Sequence, residues 1–591
     1  MKQFLITAAG VFVGLVLFLV GVPFLLVTMA AGAARPAAVP AHAVLALDLR
    51  DPLTDQEPQN PLSQFGRRSN SVMSVIETLR RAEGDGRIKG VLIRLPEAGM
   101  EPAAADEIRL AIRHFRASGK PVVAHSQGLY ASGVVTSTYM VGASADELWM
   151  QPGASLQVTG IATEDVFLKR AFDKYGVKAE YEQRYEYKNA VNPYLYDDYT
   201  PAHRASQLSW MGSVYTSALA AAAADRKTDP AKLRATLEAG PYLAEVARQQ
   251  GLIDRVGQVK EAETAILKRA GDDAKLVDFD DYVRARHERE HHTGPAIAVI
   301  GAEGPIVTGH DGTANPFAGG GNVYSDDVSE AIYDAAEDKD VKAIVFRVNS
   351  PGGSDTASEQ ILAAVRAAKA AKKPVVVSMG TYAASGGYWI SSEASAIVAQ
   401  PTTLTGSIGV FGGKFALGPA LAKFGVDVRD IGVGGGYAGA FGVGQAFTPQ
   451  QRAAFAGWMD QIYENFVVRV SNGRKLPEAR VREIAKGRVW TGVQAKELGL
   501  VDEVGGFYQA VDKAKALAGL TGEVRLKRVS PSASPLEALE SVLGVSATSV
   551  KTLAAAAWVL GDPRAQGVLE ELAQARMRQQ GALVLAPTPI R

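Results

Sequence analysis

Cysteine is absent from this chain of 591 residues, and histidine is scarce. Without a thiol the chain forms no disulfide, has no cysteine nucleophile and offers no thiolate to a metal. Its eight histidines are scattered, and the one His-Glu-x-x-His run, at residues 287–291, lies in a charged stretch that is predicted to be a solvated linker, so the sequence predicts no metal site. The glycine-rich stretches contain no P-loop, and no Gly-x-Gly-x-x-Gly string follows a predicted strand into a helix, so we expect no cofactor.

Charge is balanced over the whole chain but missing from its N-terminus. The 63 Lys and Arg residues equal the 63 Asp and Glu residues, which gives no reason to expect a nucleic acid partner. Residues 3–34 carry no charged side chain. About 20 apolar residues span a bilayer, and a cleaved signal peptide has a shorter apolar stretch. Residues 1–34 are therefore predicted to form a retained transmembrane anchor, with the lipid bilayer as its partner. The alternative is a cleaved signal peptide, for which Ala31-Gly32-Ala33 would be the cleavage site.

The remainder of the chain contains two copies of one pattern. The same separation of 253 positions relates Arg94 to Arg347, Pro121 to Pro374 and Ser132 to Ser385. A fixed offset held over several motifs indicates a tandem duplication. Residues 252–257 match residues 500–505 at an offset of 248, so the second copy has lost five residues in between. We predict a first repeat over residues 43–290, a second over residues 296–525, and a helical C-terminal extension over residues 526–591.

Each copy alternates short apolar strands with helices. In the first repeat, strands are predicted at residues 43–47, 90–95 and 122–125, and helices at residues 72–82 and 103–117. In the second repeat, strands are predicted at residues 296–300, 343–348 and 375–379, and helices at residues 327–336 and 358–371. Continuous apolar strands that alternate with helices indicate an α/β fold whose parallel strands are covered on both faces.

A candidate acyl-transfer site lies in the second repeat. Ser385 stands in the run Ala-Ser-Gly-Gly-Tyr at residues 384–388, and residues 349–353 read Asn-Ser-Pro-Gly-Gly directly after a predicted strand. Adjacent glycines let backbone N–H groups turn toward a ligand, as an oxyanion hole requires. A simple tight turn at the strand end is the alternative. The G-x-S-x-G motif is absent, so nothing supports an α/β-hydrolase.

Together with two further motifs, these segments resemble a known family. The motifs are Thr-Gly-Ser-Ile-Gly at residues 405–409 and Tyr-Lys-Asn-Ala-Val-Asn-Pro at residues 187–193. The chain resembles bacterial signal peptide peptidase A of the long, duplicated type, also called protease IV. The resemblance implies tandem Clp protease/crotonase-like domains with a Ser/Lys dyad. It also implies individual roles: Ser385 as nucleophile, Lys188 as general base, Ser407 as the hydrogen-bond partner of the base, and Gly352, Gly353 and Gly386 as oxyanion residues.

The chemistry of such a dyad sets a condition on Lys188. A lysine serves as a base only when it is neutral, and burial in an apolar site favours the neutral form. We therefore expect Lys188 to be buried and the acids near it in sequence, Glu186, Asp197 and Asp198, to point away from its amine. The alternative is an ordinary surface lysine.

Neither copy is complete by itself. The second repeat has no lysine at its counterpart of Lys188, near residues 436–439. In the first repeat, the glycine turn is replaced by Leu-Pro-Glu-Ala-Gly at residues 95–99, and the Ser407 counterpart falls on Val158 or Thr159. The site is therefore predicted to lie between the copies. A rival dyad of Ser132 with Lys188 stays open, although it lacks the oxyanion glycines.

The function expected from the resemblance is that of a membrane-anchored serine endopeptidase. It would hydrolyse cleaved signal peptides and other short apolar peptides on the periplasmic side of the bacterial inner membrane. The resemblance also implies a homotetramer. Two alternatives are a crotonase-like acyl-CoA enzyme, which leaves Lys188 without a role, and a non-catalytic membrane scaffold, which leaves Ser385 and its glycines without one.

Overall fold

The computed structural model describes residues 39–57, 70–286, 294–310, 321–529 and 584–585. The predicted anchor, residues 1–34, lies outside this range, as does most of the predicted C-terminal extension. Within the described residues, no helix has both the length and the apolar character needed to cross a membrane.

The first repeat contains one parallel sheet flanked by helices. Its strands are β1 (Ala43–Asp48), β2 (Ile88–Arg94), β3 (Val122–Ser126), β4 (Glu147–Met150), β5 (Ser155–Leu156), β6 (Lys178–Gln183), β7 (Tyr242–Leu243), β8 (Arg255–Val256) and β9 (Lys275–Asp278). Its helices are Val72–Gly84, Pro102–Ala117, Val135–Ala143, Lys169–Tyr175, Asn192–Leu195, Pro201–Asp225, Pro230–Glu238, Ala244–Gln249, Val259–Ala270 and Phe279–Arg286. The sheet order is β8-β4-β3-β2-β1-β9, with all neighbours parallel.

The second repeat contains the corresponding sheet, which has eight strands where the first has six. Its strands are β10 (Ala296–Glu303), β11 (Ile306–Val307), β12 (Val323–Tyr324), β13 (Val341–Ser350), β14 (Gly352–Gly353), β15 (Val375–Ala384), β16 (Ala396–Ala399), β17 (Leu404–Gly406), β18 (Phe411–Ala416), β19 (Val489–Thr491), β20 (Glu503–Val504) and β21 (Arg525–Arg528). Its helices are Ser325–Glu337, Asp355–Ala370, Gly386–Ser391, Gly418–Ala422, Pro449–Arg474, Glu478–Ile484, Gly492–Glu497 and Phe507–Leu517. The sheet order is β19-β17-β15-β13-β10-β21, with β16 beside β15 and β20 beside β16.

The predicted α/β fold with parallel strands is confirmed, and so is each predicted strand and helix of the two repeats. The main difference is β15, which was expected to end at Met379 and continues to Ala384. Its last residues, Tyr382 to Ala384, pair with β17, and this second partner extends the strand. The last strand of the second sheet, β21, reaches Arg528, beyond the predicted boundary at residue 525. The strand Val584–Leu585, which we call β22, pairs antiparallel with β14.

A matched pair of buried tyrosines marks the duplication in three dimensions. Tyr139 donates its hydroxyl hydrogen bond to the carbonyl of Leu252, and Tyr388 donates to the carbonyl of Leu500, at 2.9 and 2.8 Å. The two tyrosines are 249 positions apart, whereas Ser132 and Ser385 are 253 apart. Four of the five residues lost by the second copy therefore lie between the serine and this tyrosine.

The two repeats are packed together through a shared hydrophobic cluster. Val72, Met73 and Ile76, from the first helix of the first repeat, belong to one buried cluster with second-repeat residues that include Val345 and Phe507. A second connection is a two-stranded antiparallel ribbon made of β6 from the first repeat and β18 from the second. This ribbon lies just before Lys188 in one repeat and just after Ser407 in the other, so it brings the two predicted halves of the site together.

Candidate active site

Three predicted site residues from two repeats meet at one buried point. The Nζ atom of Lys188 lies 2.9 Å from Oγ of Ser385 and 3.0 Å from Oγ of Ser407. It also donates a hydrogen bond of 3.0 Å to the carbonyl oxygen of Ser407. All three residues have no exposed surface. Every side-chain partner of this lysine amine belongs to the second repeat, so the structure does not form the rival dyad of Lys188 with Ser132.

Ser385 occupies a sharp turn between β15 and the helix Gly386–Ser391. Its φ of 57° and ψ of −119° are unusual for a residue with a side chain. The backbone is held there because the Ser385 N–H donates to the carbonyl of Gly406 at 2.9 Å. The turn thus resembles a nucleophile elbow in geometry although the G-x-S-x-G motif is missing. The two glycines that follow provide the space, since a Cβ on Gly387 would lie 2.6 Å from the Ser350 carbonyl.

The ribbon of β6 and β18 delivers Lys188 to the second repeat. After β6 ends, the Arg184 N–H donates to the carbonyl of Val410 at 2.8 Å, and the Tyr187 N–H donates to that of Lys486 at 3.2 Å. Gly487 then packs directly on the lysine backbone: a Cβ at this position would lie 2.6 Å from both N and Cβ of Lys188. Gly487 is thus a site residue that sequence reasoning missed, because a single glycine in a loop carries no motif.

The surroundings of Lys188 favour the neutral amine. Burial lowers its pKa from 10.5 to about 7, and no charged neighbour opposes the shift. Glu186 lies instead near the surface beside Lys486, 3.4 Å from its Nζ. Asp197 and Asp198 are exposed. The expectation that Lys188 is buried and that the neighbouring acids point away from it is confirmed.

The three contacts of the lysine fit a neutral amine that accepts one proton. A neutral amine has two N–H donors and one lone pair. The carbonyl of Ser407 can only accept, so it takes one N–H. With the Ser407 hydroxyl taking the second N–H, the lone pair is directed at the Ser385 hydroxyl. The arrangement can therefore remove the proton from Ser385 at the moment of nucleophilic attack.

The glycine turn, residues 350–353, lies against this elbow. A Cβ on Gly386 would lie 2.9 Å from the backbone nitrogen of Gly353, and a Cβ on Gly353 would lie 2.0 Å from the carbonyl oxygen of Ile306. Gly352 has a φ of 110°, a value that side chains disfavour. Its N–H donates to Oγ of Ser350 at 3.2 Å, so it must exchange this partner to serve an oxyanion. The turn leads into the 16-residue helix Asp355–Ala370, whose N-terminus favours negative charge.

The counterpart in the first repeat has a different construction. At the offset of 253, Gly99 corresponds to Gly352 and Met100 to Gly353, so the first repeat keeps one glycine of the pair. This corrects the expectation that the first repeat lacks the oxyanion glycines. The Gly99 N–H is occupied because it donates to the carbonyl of Ser132 at 2.7 Å. The hydroxyl-bearing residue itself, Ser132, is exposed.

The described residues contain no group of three or more His, Asp or Glu side chains that could hold a metal ion.

Comparisons with known proteins match both repeats to peptidases. The profile of peptidase family S49 matches residues 114–272 and 367–521. The chain is 35% identical over 505 residues to Protease 4 of Salmonella typhi, covering 81% of this chain and 79% of that protein. It is 33% identical over 536 residues to Protease 4 of Haemophilus influenzae, covering 86% and 83%. To the chloroplastic serine protease SPPA of Arabidopsis thaliana it is 29% identical over 548 residues, covering 90% and 77%. The chain belongs to peptidase family S49 and is a serine peptidase with two S49 repeats.

Proposed function

We propose that the protein is a membrane-anchored endopeptidase that hydrolyses cleaved signal peptides and other short apolar peptides with a Ser385/Lys188 dyad. Its two repeats would be Clp protease/crotonase-like domains. The observation that carries the dyad is the 2.9 Å contact between Nζ of a fully buried lysine and Oγ of a serine at a strained turn.

The proposed reaction begins with transfer of the Ser385 proton to Lys188. The Ser385 oxygen forms a bond to the carbonyl carbon of the scissile peptide, and the carbonyl electrons move onto its oxygen. Backbone N–H groups of Gly386 and the glycine turn stabilise this oxyanion. Lys188 then gives its proton to the leaving nitrogen as the C–N bond breaks. In the second half, Lys188 takes a proton from water as the water oxygen bonds to the acyl carbon. Lys188 then returns this proton to the Ser385 oxygen as the ester C–O bond breaks and the acid product leaves.

An extended peptide backbone is the substrate shape that the glycine turn suits. The chain itself supplies an example, because β22 pairs antiparallel with β14, the strand of Gly352 and Gly353. Strand addition of this kind binds peptides through main-chain hydrogen bonds and requires no particular side chain at each position. This supports a peptide substrate for the site. It gives no role to coenzyme A, and a crotonase-like reaction would leave the Lys188–Ser385 contact unused.

The location and assembly are part of the same proposal. Residues 1–34 would hold the enzyme at the bacterial inner membrane, with both repeats on the periplasmic side, where cleaved signal peptides are released. The protein would act as a homotetramer. Sedimentation of the detergent-solubilised full-length chain would test the tetramer, and protease protection in spheroplasts would test the orientation.

A direct test uses a serine-reactive phosphonate and a defined apolar peptide with the purified full-length protein. We expect the label on Ser385 by mass spectrometry, internal cleavage of the peptide, and no retention of the protein on a coenzyme A matrix. Labelling of Ser132 in place of Ser385 would contradict the site assignment. Cleavage of acyl-CoA without cleavage of the peptide would contradict the substrate class.

A further inference from the structure

A buried arginine of the second repeat is paired by acids of the first. Arg347 lies on β13 and has 1% of its surface exposed. Its Nε and Nη2 atoms donate to the two carboxylate oxygens of Asp55 at 2.9 and 2.6 Å, and Nη1 donates to Glu107 at 2.8 Å. Two-point pairing of this kind fixes orientation as well as distance. Asp55 is therefore held firmly against the strand that leads into the glycine turn.

The backbone beside the same aspartate holds a second acid in place. The N–H groups of Asp55 and Gln56 donate to the two carboxylate oxygens of Glu303 at 2.8 and 2.9 Å. Glu303 is the last residue of β10, and its neighbour across the sheet is Asn349 of β13. The Asn349 side-chain amide donates to this carboxylate at 3.4 Å. A contact path thus runs from the first repeat to Asn349.

Asn349 joins the two strands that carry the site. The pairing of β13 with β15 shifts register between Val348 and Ser350, so the regular ladder is interrupted at Asn349. Its side-chain carbonyl replaces the missing bond by accepting the Tyr382 N–H at 3.0 Å. Gly352 follows Asn349 by three residues, and Ser385 follows Tyr382 by three. The Asn349 side chain therefore bridges the interruption in the ladder between the strand that leads to the glycine turn and the strand that leads to the nucleophile.

We propose that Asp55 is a positioning residue for the second repeat's active site. Through Arg347 on one side, and through Glu303 and Asn349 on the other, it holds the glycine turn in register with Ser385. The first repeat thus contributes a second element besides Lys188. The first repeat has no such device of its own, because the counterparts of Asn349 and Glu303 at the offset of 253 are Pro96 and Arg50. This inference rests on the function proposed above.

The test compares Asp55→Asn with Asp225→Asn in the full-length protein. Asp225 is the matched control, since it is a buried carboxylate that pairs with Arg109 at 2.6 Å inside the first repeat. We expect Asp55→Asn to lower kcat about tenfold or more with KM changed less than threefold. The midpoint of the pH–rate profile should stay at the pKa of Lys188, because Asp55 acts on the position of the glycine turn and not on the base. Asp225→Asn should lower the melting temperature comparably and keep kcat.

A second variant keeps the inference testable if Asp55→Asn does not fold. Glu303→Gln preserves the size of the side chain and one of its two acceptor oxygens, so we expect a smaller fall in kcat, about threefold to tenfold. If both variants keep kcat within twofold of wild type, or if Asp55→Asn moves the pH midpoint, the inference is wrong. If wild type and Ser385→Ala turn over the peptide equally, the proposed function fails instead.

Discussion

The two repeats contain the same Ala-Ser-Gly segment, yet only one of them builds an elbow around its serine. In the second repeat, β15 runs to the residue before Ser385, and Tyr388 follows three residues later. In the first repeat, β3 ends at Ser126, and Tyr139 follows Ser132 seven residues later. The four additional residues place Ser132 in an exposed loop. The comparison teaches that a serine in this segment is placed as a nucleophile only when the strand before it and the helix after it follow closely in sequence.

The lysine of the site comes from the other repeat. Lys188 belongs to the first repeat and is fully buried, but its amine hydrogen-bonds to Ser385 and Ser407 of the second repeat. Each repeat has therefore kept the part that the other has lost. The predictions below test this asymmetry by changing equivalent or matched positions in the two repeats.

The largest effect is expected from removing either member of the dyad. Ser385→Ala and Lys188→Ala should each lower kcat/KM on an apolar peptide by more than about 1000-fold, because the nucleophile and its base act as a unit. Ser132→Ala should stay within twofold of wild type. An inactive Ser132→Ala with an active Ser385→Ala would reverse the assignment of the two repeats.

The next largest effect is expected at Gly487, which packs directly on the backbone of Lys188. Gly487→Ala should lower kcat about 100-fold, because the new Cβ would displace Lys188 and misplace the base. Gly499→Ala is a matched control: its φ of 78° is close to the 79° of Gly487, but its nearest atoms belong to the Leu476 side chain at 3.5 and 3.8 Å. Equal losses of kcat in the two variants would mean that backbone strain, not contact with Lys188, causes the effect.

The pH profile should report the lysine supplied by the first repeat. Burial lowers the pKa of Lys188 to about 7, so kcat/KM should fall tenfold per pH unit below 7 and reach a plateau above it. A group whose folded-state pKa lies below its ordinary value of 10.5 binds more protons when unfolded, so its contribution to stability increases between pH 7 and 10.5. Denaturation measured at each pH separates the two effects. A flat rate profile from pH 5 to 10 would argue against a lysine base.

The smallest effect is expected at Ser407. Ser407→Ala removes one acceptor from the lysine but leaves the backbone carbonyl of the same residue in place, so kcat should fall about tenfold. Thr159, an exposed counterpart in the first repeat, provides the control, and Thr159→Ala should keep full activity. A loss above 1000-fold in Ser407→Ala would place Ser407 in the chemical step itself.

The sequence predicted much of this architecture because the relevant signals are local. Apolar runs predicted the strands, and the fixed offset revealed the duplication. The grouping of Lys188, Ser385 and Ser407, with roles suggested by the family resemblance, agrees with the distances between them. The prediction that the acids near Lys188 in sequence point away from its amine was also correct, because a carboxylate beside the amine would favour its charged form.

The features that were missed depend on contacts between distant parts of the chain. The extension of β15 requires pairing with β17, and the role of Gly487 requires the approach of Lys188, about 300 positions earlier in the sequence. Asp55 and Arg347 are 292 positions apart, and the duplicated pattern that includes Arg347 gives no sign of Asp55. Ser132 is exposed because the first repeat has four additional residues between this serine and Tyr139. The offset of 253 is constant across the Ala-Ser-Gly segment, so it gives no sign of them. Local patterns do not contain these contacts.

The division of the site between repeats also has a consequence during synthesis. Lys188 leaves the ribosome 197 residues before Ser385, which corresponds to about 10–40 s at about 5–20 residues per second. During that interval the nascent chain has a lysine but no partner for it, and a chain released early never acquires one. Proteolytic activity therefore begins only when the second repeat has been made and has folded against the first.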